Sequence, residues 1–364
     1  MEETLTFVDP EEARQRAEAN GLFILRPFPL NCEAPLRGQR GVITSNEHFY
    51  IRSNFKLPKI DASGWRLAVG GMVERPLSLS LPELQAMPAH SVIVTLECAG
   101  NGRSRLDPPA EGEQWQFAAV STAEWTGVPL VEVLERAGVR SGAKEVRYKG
   151  ADSGVPRGRT ETVHFERSLN LDWARNPDVL LAYAMNGEPL PIEHGFPLRM
   201  LVPSWYGMAS VKWLTELELI GAAFTGHYQA NSYVFERAAP DGQVSKEPLT
   251  QERVRALITE PAIGEEVATG RLIVRGFAWS GRATVAKVEL SVSEGAWHAA
   301  RLLGQPIPYT WQRWELSLEL PTRGELVLRA RATDALGQTQ PDTPEWNRLG
   351  YCNNAVLEVP VTVR

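Results

Sequence analysis

Three runs in the last third of the chain alternate apolar and polar residues one for one. Val288, Leu290 and Val292 alternate with Glu289, Ser291 and Ser293. Trp314, Leu316, Leu318 and Leu320 alternate with Glu315, Ser317 and Glu319, and Leu326, Leu328, Ala330 and Ala332 with Arg329 and Arg331. A period of two turns one face of an extended strand to a core and the other to water. Turn signals at Ser293-Glu294-Gly295, Pro321 to Gly324 and Asp334 to Gly337 punctuate the runs. Several such strands within about 110 residues predict a β-sandwich of immunoglobulin type over residues 245–364.

The texture before residue 240 differs: short apolar strands alternate with short helices. Ser80-Leu81-Pro82-Glu83 has capping-box spacing and opens a helix through about Met87. Pro129 to Ala137 reads as a second helix, stopped by Gly138. Between them, the β-branched run Val92 to Leu96 reads as a buried strand that delivers Cys98 to its C-terminal end. The loop Ala99-Gly100-Asn101-Gly102-Arg103 follows, and Ala238 to Pro248 reads as a linker. The expectation is an α+β chain, with a mixed α/β domain over residues 1–240 followed by the sandwich.

Composition removes several function classes. The net charge is −6, and neither part has the basic excess of a nucleic-acid binder. No run of roughly eighteen apolar residues exists to span a membrane. The acidic, polar start lacks the layout of a secretion signal, so a cytoplasmic location is expected. The cysteines, Cys32, Cys98 and Cys352, are far apart in sequence. They provide no four-cysteine metal site and no covalent haem motif, so Cys32 and Cys352 read as structural thiols. Arginines far outnumber lysines, and the rigid guanidinium fork suits planar anions.

Cys98 ends a strand, enters a glycine-rich loop and precedes Arg103 and Arg105. Nearby positive charge favours a thiolate. Two chemistries fit that pattern. The thiolate could be a covalent nucleophile needing a histidine. It could instead ligate a soft metal, with a cofactor bringing the remaining ligands.

Longer blocks point to a family. Thr95 to Ser104 (TLECAGNGRS), Trp125 to Leu130 (WTGVPL) and the run from Asp178 to Leu217 resemble the sulfite oxidase family of molybdenum enzymes. Val274 to Gly281 (VRGFAWSG) and Trp346-Asn347 resemble its dimerisation domain. The resemblance implies a molybdopterin cofactor whose dithiolene provides two sulfurs to molybdenum, with Cys98 as the protein's metal ligand. It implies a homodimer that oxidises a small oxyanion, sulfite. With no segment for a haem domain, the electrons go to an external acceptor such as a cytochrome. Reduction of nitrate or of a sulfoxide on the same cofactor is the alternative, and a non-catalytic binding module a remote one.

Site residues follow from the same resemblance, position by position. Arg52 and Arg103 match active-site arginines, Trp115 an aromatic wall of the substrate pocket, and Tyr233 the tyrosine beside the metal. Tyr50, Arg52, Asn54, Cys98, Asp152, Thr162, His194, Arg199, Ser210 and Lys212 match positions that hold the cofactor. Asn54 stands where the family usually has histidine, and Gly102 where it often has arginine. Arg348, one place earlier than the usual pattern after Trp346-Asn347, matches a substrate arginine contributed by the second domain.

Overall fold

The computed structural model describes residues 5–238, 242–320 and 322–364. In the first part, local signals set the helices. Ser80 caps the helix Leu81–Gln85 through a reciprocal capping box with Glu83. The helix Leu130–Ala137 buries Leu130, Val133, Leu134 and Ala137, a spacing that lines one helical face. Gly138 ends it with φ +72°, a conformation that glycine adopts without steric cost.

Two sheets frame this part. In the first, strands Val163–Asn170, Glu145–Gly154, Leu214–Ile220, Arg66–Gly71 and Leu77–Ser80 lie side by side in that order. Only the pairing of Leu214–Ile220 with Arg66–Gly71 is parallel. In the second, Glu188–Pro189, Leu180–Met185, Val120–Pro129 and His90–Glu97 follow one another, and Arg199–Leu201 also pairs with Leu180–Met185. The helix and the first sheet share one core, with Leu67, Val69, Val133, Val146, Tyr148 and Leu217 at its centre.

The second part is a sandwich of two sheets. Arg255–Glu260, Gly270–Trp279, Gln312–Leu320 and Arg301–Leu303 form one; Glu265–Val267, Leu357–Val363, Gly324–Asp334, Val285–Val292 and His298–Ala299 form the other. The alternating runs supply their shared core: Val288, Leu290, Trp314, Leu328, Ala330 and Ala332 are buried, and Leu316, Leu318 and Leu326 pack against them. Among the described residues no helix is long and apolar enough to cross a membrane.

The segment expected as a linker differs. Val244–Pro248 is a strand that pairs antiparallel with Val234–Ala238, and all five residues are exposed. Polar composition serves a two-stranded arm as well as a linker. Residues 239–241 of the expected linker and Pro321 of one expected turn lie outside the described residues.

The two parts share a core. Leu257, Phe277, Trp279 and Trp311 from the sandwich pack with Leu96, Cys98, Trp115 and Trp125. Phe277 stacks on Trp311 at 4.1 Å. The Trp311 backbone N–H donates to Thr95 Oγ1 at 2.7 Å, on the strand that leads into Cys98.

Candidate active site

The strand His90–Glu97 pairs with Val120–Pro129 as far as Glu97 opposite Val120. The Cys98 N–H then donates to the Ala119 carbonyl at 2.9 Å. The chain turns there: Asn101 N–H donates back to the Cys98 carbonyl at 2.9 Å, and Gly102 takes φ +84°. Cys98 is thus held where ladder pairing stops and backbone opens.

Beside it lies a cavity lined by Tyr50, Arg52, Asn54, Cys98, Asp152, His194, Arg199, Ser210, Lys212 and Tyr233 among others. Distant segments deliver these side chains. Arg52 sits on a short strand opposite Asn31. Asp152 lies where the ladder between Glu145–Gly154 and Val163–Asn170 shifts register, an irregularity that re-aims a side chain. His194 ends a short 3-10 turn closed by Gly195 at φ +109°. Tyr233 itself adopts φ +52°, a costly conformation for a bulky residue.

One hydrogen-bonded group joins Arg52, Asn54 and Tyr233. Arg52 Nη2 donates to Asn54 Oδ1 at 2.6 Å, and Arg52 Nη1 donates to Asn31 Oδ1 at 3.2 Å and to the Ser53 carbonyl. Asn54 Nδ2 donates to the Tyr233 hydroxyl at 3.3 Å. Tyr233 also stacks on Tyr351 at 5.3 Å. Burial raises the Tyr233 hydroxyl pKa above its ordinary value, against the pull of Arg52.

A second group gathers His194, Arg199, Ser210 and Lys212. Arg199 Nη1 donates to the His194 carbonyl at 3.0 Å and Nη2 to the Ser210 carbonyl at 2.9 Å. The Ser210 hydroxyl accepts from Val202 N–H at 3.0 Å. Lys212 Nζ donates to the Glu193 carbonyl at 2.7 Å and to Ser53 Oγ at 3.4 Å. Burial, then the neighbouring Lys212 and Arg199 charges, holds His194 well below the usual histidine range, so its ring is neutral. Burial lowers Arg199 to about 10. It also draws Lys212 down and lifts Asp152, each opposed by the other's charge.

This donor set fits an anionic, sulfur-bearing metal cofactor. Arg199 Nε is buried with no partner, and buried polar atoms are rarely left so. Arg52, Arg199 and Lys212 face the cavity against the single carboxylate of Asp152, an excess that suits a phosphate. Cys98 offers a soft sulfur; burial pushes its thiol up, and Arg52 pulls it down. Among the described residues no three His, Cys, Asp or Glu side chains converge on a point. A metal at Cys98 therefore needs ligands carried by another group.

The remaining expected site residues do not line this cavity. Arg103 is buried, donating Nε to the Leu349 carbonyl at 3.1 Å and Nη1 to the Glu113 carbonyl at 2.7 Å. Its guanidinium lies over the Tyr351 ring at 4.9 Å. Trp115 has no exposed surface; it packs in the core shared with Cys98 rather than forming a wall. Thr162 is exposed on a loop away from the cavity. Arg348 is exposed and paired with Glu236 through bonds of 2.9 and 2.8 Å. Phe49, Ser53, Phe165, Gly207 and Trp213 also line the cavity and were not singled out from sequence. Ser53 lies between Arg52 and Asn54, two positions that the family resemblance marks. At Gly207, any Cβ would stand 2.6 Å from the Tyr50 hydroxyl. Phe165 carries no local signal.

Residues 54–228 match the oxidoreductase molybdopterin binding domain, and residues 247–364 match the Mo-co oxidoreductase dimerisation domain. Sulfite oxidase of Gallus gallus is 36% identical over 92% of this chain and 76% of its own length. The chain spans 64% of the rat and human mitochondrial sulfite oxidases. An NADH nitrate reductase of Ulva prolifera is 32% identical over 91% of this chain and 42% of its own. Among solved structures, the sulfane dehydrogenase SoxCD of Paracoccus pantotrophus superposes with a TM-score of 0.81 at 28% identity, covering 92% of this chain and 84% of that one.

Proposed function

The chain belongs to the sulfite oxidase family of molybdopterin-dependent oxidoreductases, and from that premise we propose that it oxidises sulfite to sulfate. Sulfite and water yield sulfate, two protons and two electrons, and the electrons pass to a separate acceptor such as a cytochrome. When bound, the molybdopterin cofactor supplies the redox-active molybdenum and two of its sulfur ligands.

Cys98 is the thiolate ligand in this reading. Arg199, Lys212, Ser210 and neutral His194 hold the pterin and its phosphate, with the unpartnered Arg199 Nε free to donate. Arg52 grips the oxyanion, and the Tyr233 hydroxyl orients it. Asn54 ties those two side chains together. The observation that carries the reading is the convergence of Cys98, Arg52 and Tyr233 on one cavity. Soft metal ligand, anion-binding cation and proton-bearing hydroxyl then share one space. Residues 247–364 mediate the homodimer.

The test is sulfite-dependent reduction of ferricyanide by purified protein, with its molybdenum content measured. Stoichiometric metal and turnover are expected. Cys98→Ser loses turnover and keeps its thermal transition. Metal-free protein, or a Cys98→Ser variant with full activity, refutes the reading. Nitrate-dependent oxidation of a reduced dye without sulfite turnover would reverse the reaction's direction, as the name of the Ulva relative suggests for that protein.

A further inference from the structure

Four residues around Cys98, namely Glu97, Ala99, Asn101 and Gly102, are held from the second domain. Before the cysteine, Glu97 N–H donates to Glu252 Oε1 at 2.8 Å, and the Glu97 carboxylate accepts from Arg255 Nη1 at 2.8 Å and Trp279 Nε1 at 2.9 Å. After it, the Ala99 carbonyl accepts from Cys352 N–H at 2.8 Å and the Gly102 carbonyl from Asn353 Nδ2 at 2.9 Å. Arg255 Nη1 also donates to the Asn101 carbonyl at 3.1 Å. One nitrogen thus bridges the two ends of the loop, three residues past Cys98 on one side and one before it on the other. Asn101 Nδ2 closes the figure by donating to Glu97 Oε1 at 3.0 Å.

The arrangement is buried and shaped to fit. Glu97, Asn101, Arg255 and Trp279 are each at most 3% exposed. A Cβ on Gly102 would stand 2.8 Å from Arg255 Nη2. The position where the family often carries arginine is therefore left bare, and a guanidinium from the other domain packs against it. A lone stabilising ion pair would not need to touch both flanks of one cysteine.

We infer that the second domain clamps the metal-binding thiol, with Arg255 as the positioning residue that fixes where Cys98 Sγ points. This extends the domain's role beyond dimerisation and rests on the reading of Cys98 as a metal ligand. Groups that orient a metal's ligands tune the metal, and their loss costs about ten- to a hundredfold in activity or affinity.

The experiment compares wild type with Arg255→Lys, which keeps the charge and loses the fork, and with Trp279→Phe, which removes one donor and keeps the ring. Three readouts are taken on the molybdenum-loaded protein: sulfur-to-metal charge-transfer absorption, hydrogen–deuterium exchange over residues 96–103, and sulfite kinetics. The absorption band is expected to move and loop exchange to rise while exchange elsewhere holds. The kcat should fall by about ten- to a hundredfold, with KM changing far less. An unmoved band with unchanged loop exchange overturns the inference, as does exchange that rises evenly across both domains. Should Arg255→Lys not fold, Trp279→Phe decides. If wild type contains no molybdenum, the functional reading fails by itself, and loop exchange in the metal-free proteins still decides whether the clamp exists.

Discussion

Asn54 Nδ2 donates to the Tyr233 hydroxyl at 3.3 Å, and this direction follows from what lies on the amide's other side. Arg52 Nη2 stands 2.6 Å from Asn54 Oδ1. A guanidinium only donates, so that atom is the oxygen and the nitrogen faces the tyrosine. The hydroxyl also donates to Asn54 Oδ1, over a longer 3.5 Å. The phenolic oxygen therefore accepts the shorter bond from Asn54, and its own proton is held only by the longer one.

Asn54→Asp tests that geometry. A carboxylate there pairs with Arg52, cancels its charge toward an oxyanion and removes the donor to Tyr233. A lost charged hydrogen bond is worth about 1.5–3 kcal/mol, which is roughly ten- to a hundredfold in affinity. The sulfite KM should rise by that factor in steady-state assays, with kcat falling less. An unchanged KM would remove Arg52 from substrate binding.

Lys212→Met should separate function from stability. Lys212 shares the cavity with Arg199 and Arg52, and burial and the Arg199 charge together press its ammonium towards neutrality against the pull of Asp152. Burying such a charge is unfavourable unless an anion answers it. The variant should lose molybdopterin on purification, seen as reduced molybdenum content. Its cofactor-free form should melt no lower than cofactor-free wild type. A large drop in the empty protein's melting temperature would make Lys212 a structural residue.

Sequence revealed most where the governing physics is local. The capping box at Ser80 and Glu83 involves residues three apart, and the structure forms it as written. The alternation around Val288 and Trp314 reports burial directly, and both side chains are fully buried. Arg103 was not legible in the same way. Its surroundings are the backbone of Gly100, Gly112 and Gly350, and a Cβ on Gly100 would stand 2.7 Å from its guanidinium. That packing depends on a segment of the second domain no local pattern could announce. Trp115 likewise sits in a core completed by Trp279 and Trp311. Phe165 reaches the cavity because a sheet places it there, not because of its neighbours in sequence.

Arg348→Ala bears on the residue expected from the second domain. The Arg348 guanidinium is committed to Glu236 at 2.8 Å, with 53% of its side chain exposed, and it does not line the cavity. Exposed ion pairs contribute about 0–1 kcal/mol. The variant should therefore keep the sulfite KM within about twofold, a shift of under roughly 1 kcal/mol. A tenfold rise in KM would show that Arg348 leaves Glu236 to meet substrate.

Stability should also depend on pH through Glu33. Its carboxyl is 4% exposed and accepts from Gln116 N–H at 2.5 Å. Burial raises its pKa to about 7, against the pull of the Gln116 and Ala118 N–H groups. A carboxyl raised above its unfolded value binds a proton on folding. Its contribution is therefore complete below the unfolded pKa, near 4.5, and is lost as pH rises through about 7. In that window the slope is about 1.4 kcal/mol per pH unit for a single group. Glu33→Gln keeps an acceptor for Gln116 N–H and has nothing to titrate. Melting temperatures measured between about pH 5 and pH 8 should fall more steeply with pH for wild type than for Glu33→Gln, so that the variant gains on wild type at the alkaline end. Parallel curves would mean that Glu33 keeps the same protonation state folded and unfolded.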